Sequence, residues 1–197
     1  MKKLLLAVLV VALAFAFTTP SNAQGKFYLN PGLDVFLPLG TFGDAVSVGF
    51  GGTVRGEYVF TKEISGTFAI GYDIWGGKSV TENGVSVDLP NFKGIPIMVG
   101  GKYYFMPEGS KTRVYGMIEL GLFMASVTTS AQSIGGVVVI PEASATETDF
   151  AFDPMVGAEF ALGKVHLDAA VRYFLIASSG SASNIGLRVG VKFPIGG

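Results

Sequence analysis

Thirteen titratable side chains share one phase of a two-residue period. They are Asp34, Arg55, Glu57, Asp73, Lys102, Glu119, Asp153, Glu159, His166, Asp168, Arg172, Arg188 and Lys192. A period of two places side chains on one face of an extended strand. Arg55 and Glu57 therefore share a strand face, as do Asp168 and Arg172, and Arg188 and Lys192 face the latter pair from the next strand. Seven acids stand against five bases, and their simplest chemistry is mutual neutralisation. An unpaired charge in a dry interior costs several kcal/mol, so a salt-bridge network is expected, with ten members singled out: Arg55, Glu57, Asp73, Lys102, Glu119, Glu159, Asp168, Arg172, Arg188 and Lys192. His166-x-Asp168 is the one spacing that could serve acid–base catalysis. A histidine beside the short turn Gly163-Lys164 is more simply a titratable residue at a rim, and no enzymatic activity is expected. There is no cysteine and a single histidine, so no metal site or cofactor is expected.

The elements that carry these residues are eight strand-like runs, at 27–37, 50–60, 64–74, 95–105, 114–124, 152–162, 165–175 and 185–193. Every second residue from the first of each run avoids Asp, Glu, Lys, Arg and His entirely. A charge-free face is what hydrocarbon demands. Twelve aromatics lie on it, and Phe27, Tyr58, Phe60, Tyr103, Phe105, Phe160 and Phe193 all fall beside the short turns, as an interfacial girdle would. A secreted barrel of lipocalin type would put its apolar residues inside and would scatter its aromatics through the strand middles.

The seven connections alternate in length: 38–49, 61–63, 75–94, 106–113, 125–151, 163–164 and 176–184. One rim with tight turns and another with protruding loops gives this pattern in an up-and-down barrel. Val80-Thr81-Glu82 and Val85-Ser86-Val87 flank Asn83-Gly84, the strongest two-residue hairpin signal. The segment from Ser126 through Gly135-Gly136 to Val137–Ile140 and Pro141 is a second such stretch, and both read as strand pairs continuing beyond the membrane. The glycine pairs lack the lysine and following helix of a phosphate loop. They suit curvature in a small closed barrel.

The first 23 residues form a separate segment. Lys2 and Lys3 precede an apolar stretch from Leu4 to Phe17, and Ser21-Asn22-Ala23 suits cleavage between Ala23 and Gln24. Fourteen apolar residues fall short of the ~20 a spanning helix needs. The expectation is Sec export and a single domain over 24–197. That domain holds 14 − 2 = 12 basic and 15 acidic residues, a net charge of −3, which gives no footprint for nucleic acid.

The whole pattern resembles the small outer-membrane β-barrels of the outer-membrane protein A and X type, the outer membrane protein beta-barrel domain family. The resemblance rests on Leu37-Pro38-Leu39-Gly40 with Phe42, Gly56-Glu57-Tyr58, Ile70-Gly71-Tyr72, Lys102-Tyr103-Tyr104-Phe105 and Val171-Arg172-Tyr173. The closing Gly186-Leu187-Arg188-Val189-Gly190-Val191-Lys192-Phe193 is similar to the strand read by barrel-assembly machinery, although Pro194-Ile195-Gly196-Gly197 follow the aromatic. It implies an all-β, eight-stranded antiparallel up-and-down transmembrane barrel in the outer membrane of a Gram-negative-type bacterium, surrounded by lipid and monomeric. The motifs specify a fold rather than an activity; the role expected of the chain is adhesion, resistance or envelope integrity, with the long loops as a surface for a ligand. The competing readings are a narrow pore through the charged interior and a secreted soluble barrel binding an apolar ligand.

Overall fold

The computed structural model describes residues 26–82, 85–129, 132–134, 137–140, 143–177 and 181–195. The segment read as an export signal, with its cleavage point at Ala23 and Gln24, lies outside the described residues, as do Asn83-Gly84, Gly135-Gly136, Pro141 and the last two glycines.

Eight long strands close into one barrel. They are β1 (Phe27–Leu39), β2 (Val46–Val59), β3 (Ile64–Gly77), β6 (Asn91–Tyr104), β7 (Thr112–Thr129), β10 (Ala143–Leu162), β11 (Val165–Ala177) and β12 (Ala182–Ile195), in the spatial order β1-β12-β11-β10-β7-β6-β3-β2. Each pairs antiparallel with its neighbours in sequence, and β1 closes on β12 in a register that sets Leu33 opposite Val189 and Asp34 opposite Arg188. Two small hairpins, β4 (Ser79–Glu82) with β5 (Val85–Asp88) and β8 (Gln132–Ile134) with β9 (Val137–Ile140), stand at the long-loop end. One short helix, α1 (Gly40–Ala45), joins β1 to β2.

Closure removes the open edges of the eight-stranded sheet, and it turns the period of two into an inside and an outside. The charge-free face is the outer one: Leu33, Phe50, Phe68, Ile118, Val156, Leu187 and Val189 are all more than half exposed. The charges point inward, where Arg55, Glu57, Asp73, Lys102, Glu119, Asp153, Glu159, Asp168, Arg172, Arg188 and Lys192 are buried. This is the inverse of a lipocalin-type barrel.

The short-turn rim carries the aromatic girdle. Tyr58 and Phe60 meet edge to face at 5.1 Å, and Tyr103 and Phe105 do so at 5.4 Å. Phe27, Phe60 and Phe105 each cover an outward glycine of the neighbouring strand, at Gly56, Gly66 and Gly116. A ring over a glycine restores the cross-strand contact that the glycine lacks. The turns themselves are tight. The Thr61 hydroxyl accepts the backbone N–H groups of Glu63 and Ile64, and Gly163 takes φ 69°, a left-handed conformation that glycine adopts without a Cβ penalty.

At the long-loop end the structure bears out the extended pairs of the second and third long connections, lengthens the strands and adds one element. The strands run well past the alternating runs: β2 starts at Val46, β6 at Asn91 and β10 at Ala143, which pairs with Thr129 of β7. Beyond the hydrocarbon the outward face no longer has to be apolar, so alternation fades while the hydrogen-bonded ladder continues. The helix α1 lies in the first long connection, where the sequence shows no helical pattern. Six residues are too few to show a helical period.

Candidate functional site: a lumen filled in two layers

The inward side chains fill the barrel, and their chemistry changes along its axis. At the short-turn end, Glu57, Lys102, Glu159 and Lys192 come from β2, β6, β10 and β12. The Lys192 ammonium reaches Glu57 at 2.8 Å and Glu159 at 3.2 Å, while Lys102 bridges the same two carboxylates, at 3.1 Å from Glu57. The Tyr104 hydroxyl sits in their midst, 2.7 Å from both Lys192 Nζ and Glu57 Oε1. Two cations against two anions, all buried, make a neutral cage.

Midway, Arg55 grips Glu119 with two parallel bonds of 2.8 Å, and Thr67 donates to the same carboxylate at 2.8 Å. The two-pronged geometry suits a guanidinium, whose fork matches a carboxylate. Arg172 ties Asp34, at 2.7 Å, to Asp153. Asp34 also accepts from Thr53 at 2.6 Å and lies 3.5 Å from Arg188. Arg188 then donates to the Asn30 carbonyl at 2.8 Å. Glycines make the room: a Cβ on Gly32 would collide with the Arg188 guanidinium, and one on Gly186 would meet the Arg172 stem.

Sequence neighbours are therefore seldom the partners. Arg55 does not pair with Glu57, nor Arg172 with Asp168; Arg55 reaches across the lumen to β7, and Arg172 turns sideways to β10 and β1. Same-face spacing reads the strand, whereas pairing is decided by the barrel's cross-section. The His166-x-Asp168 spacing does place both residues on the inner face, yet the Asp168 carboxylate accepts from Tyr115 at 2.7 Å and Asn30 at 2.5 Å. His166 packs edge-on toward Tyr28 at 6.5 Å between ring centres. Asp73 is fully buried, and neither of its oxygens has a hydrogen-bond partner among the described residues.

The long-loop half of the lumen is apolar. Phe36, Trp75, Phe123, Phe174 and Ile176 are buried together with Met98, Ala69, Ala125 and Ala151. Trp75 is the hub: its ring lies 5.2 Å from Phe36 and 6.2 Å from Phe123, and its indole N–H donates to Asn184 at 3.1 Å. Phe92 stacks on Phe123 at 5.7 Å. Helix α1 lays Phe42 over this layer, 5.2 Å from Phe92 and 5.9 Å from Trp75. That gives the short helix its structural purpose, since it caps the lumen with an aromatic ring.

Sequence reasoning missed this layer. Trp75 and Phe92 fall in the connection 75–94, outside the alternating runs, and carry no charge to mark an inward position. A signal was present: Phe36, Phe123 and Phe174 sit at interleaved positions near the same end of their runs. The uncharged polar members, Asn30, Thr53, Thr67, Tyr104, Tyr115 and Asn184, likewise carry no charge that marks them in the sequence.

At the outer edge of the short-turn rim, Lys26 and Glu108 form an exposed ion pair at 3.1 Å. The hydrogen bond from Lys26 holds the Glu108 carboxyl below its ordinary pKa, and the same bond raises that of Lys26.

A closed eight-stranded barrel with an apolar exterior and a salt-bridged lumen is matched at the sequence level by a family model described as "Outer membrane protein beta-barrel domain", over residues 4–193. The chain belongs to this outer-membrane barrel family. Among solved structures of the same shape is Neisserial surface protein A, 21% identical, with a TM-score of 0.61 over 86% of this chain and 97% of that one. OprG of Pseudomonas aeruginosa is 13% identical, with a TM-score of 0.58, covering 88% and 97% respectively. Ail, the attachment invasion locus protein of Yersinia pestis, is 14% identical, with a TM-score of 0.56, covering 88% of this chain and all of that one. At such identities the likeness is one of fold. No curated protein matches the sequence. The outer-membrane barrel family thus accounts for the closed barrel and its apolar exterior.

Proposed function

We propose that this barrel is a plugged, non-enzymatic component of the outer membrane that acts through its long-loop side, in adhesion, resistance or envelope integrity. The observation that carries the proposal is the stacking of two occluding layers in one lumen. Ions would have to break the Glu57–Lys102–Glu159–Lys192 cage and also displace the Trp75 cluster. The apolar layer offers a permeating ion no compensation for its lost hydration. Ail is by its name an attachment protein, and an attachment role for this chain, carried on its long-loop surface, is consistent with a barrel whose interior is closed. On this reading the chain is exported by the Sec route, is cleaved between Ala23 and Gln24, folds as a monomer over 24–197 and is assembled through β12, with the short turns facing the periplasm.

Single-channel recording on refolded protein in planar bilayers tests the plug. No steady conductance is expected from the wild type. A steady current that shifts on Glu119→Gln or Arg188→Ala would establish the pore reading instead. Migration before and after boiling tests the membrane barrel itself, because a native barrel changes mobility on heating. Recovery of the mature chain in the soluble fraction without detergent would sink the whole reading.

A further inference from the structure

The charges of the 24–197 segment are sorted into three tiers. The lumen takes five bases and seven acids, a balance of −2. The short-turn rim holds Lys26, Lys62, Lys111, Arg113 and Lys164 against Glu63 and Glu108, a balance of +3. The sequence of the long connections carries Lys78 and Lys93 against six acids, a balance of −4. The three sum to the segment's −3, so the rim's positive sign runs against the net charge of the protein.

Within that rim the acids are already engaged. Glu108 pairs with Lys26, and Glu63 accepts from the Thr61 hydroxyl at 3.2 Å. Arg113 turns inward, with its guanidinium 3.7 Å from the Tyr104 ring centre and Nη2 donating to the Lys62 carbonyl. This leaves Lys62, Lys111 and Lys164, one from each short turn. All three are exposed, and their ammonium groups form no salt bridge among the described residues, Lys62 sensing Glu108 only at longer range. Phe60, Phe105 and Phe160 of the aromatic girdle lie beside the same turns. Aromatic rings settle at headgroup level, so ammonium groups just beyond them stand at the depth of lipid phosphates.

We infer that Lys62, Lys111 and Lys164 form a collar that selects anionic phospholipid headgroups in the leaflet around the short turns. The inference rests on the membrane-barrel reading. A phosphate bearing a net negative charge gains from three free ammonium groups, whereas a zwitterionic headgroup brings its own cation. The gain is about fivefold in association per lysine near the surface, and it weakens as salt shortens the Debye length.

The full mature chain, refolded into phosphatidylcholine vesicles with or without phosphatidylglycerol, gives the test. Lipid association is read with spin-labelled analogues of both lipids, and folding is read from heat-modified migration. The expected result is a preference for phosphatidylglycerol that falls with added salt. It should disappear in the triple variant Lys62→Gln, Lys111→Gln, Lys164→Gln and persist in Lys93→Gln. A folded, inserted wild type without preference, or a preference unchanged in the triple variant, overturns the collar while leaving the barrel reading intact. Retention on purified peptidoglycan sacculi that depends on the same lysines, with no lipid preference, would assign the collar to the cell wall instead. Failure to insert at all would overturn the membrane reading, a result separable from the others on the same gel.

Discussion

Arg172 on β11 joins Asp34 on β1 to Asp153 on β10, so one side chain ties together strands on both sides of its own. All three groups are buried. Removing one member of a buried ion network is costly because it leaves its partners charged and unpaired. Arg172→Ala should lose about 3–5 kcal/mol, measured by urea unfolding of the refolded barrel in vesicles. The double variant Asp34→Asn, Asp153→Asn on the Arg172→Ala background should recover part of that loss. A single variant as stable as the wild type would mean that the lumen is wet enough to solvate these carboxylates.

Glycine spacing sets the packing of the lumen. The Tyr115 ring crosses Gly157, where a Cβ would lie 2.5 Å from both Cζ and the hydroxyl oxygen. The ring cannot retreat freely, because its hydroxyl is held 2.7 Å from Asp168. Gly157→Ala should therefore cost roughly 1–3 kcal/mol by overpacking. Gly101 faces outward with nothing within 4 Å of its would-be Cβ, and Gly101→Ala should be tolerated. Equal unfolding midpoints for the two variants would refute the packing assignment.

The contrast between these two glycines also marks what could be read beforehand. Their faces followed from parity alone, because closure allows only two sides to a strand. What lay against Gly157 did not, since Tyr115 is 42 residues away in sequence and reaches it only through the register of β7 with β10. Likewise the inward set containing Arg55 was legible, but its pairing with Glu119 on β7 depends on the width of the barrel. Trp75 was lost for a different reason. It lies past the point where the outward face of β3 stops being apolar, and the alternation that reveals strands ends there. Phe42 was beyond reach because a six-residue helix leaves no periodic trace.

On the outer face, Ile118 and Val189 are 53% and 55% exposed on mid-strand positions. Arginine at either should cost about 2–4 kcal/mol if the site lies near the bilayer midplane. Gly190, next to Val189, points inward toward Asn30, so Gly190→Arg should fail by crowding and not by lipid exposure. Repeating the measurement in detergent micelles separates the causes. The penalty at Ile118 and Val189 should shrink there, whereas that at Gly190 should not.

The exposed Lys26–Glu108 pair gives a pH dependence whose sign follows from its shifts. The Glu108 carboxyl is depressed, chiefly by the hydrogen bond from Lys26, so its contribution is present above the ordinary carboxylate pKa and is lost as pH falls through the lowered value. Lys26 is raised, chiefly by the same bond, so its contribution is complete below the ordinary lysine pKa and is lost as pH climbs through the raised value. Between those limits the pair should contribute a few tenths of a kcal/mol, because both side chains are solvated and screened. A double-mutant cycle of Lys26→Gln and Glu108→Gln should show that coupling at neutral pH and low salt. The coupling should vanish in acid, where Glu108 is protonated, and in strong salt, where the Debye length falls to about 3 Å. Coupling that survived high salt would mean that the two groups are held in a less solvated pocket than their exposure implies.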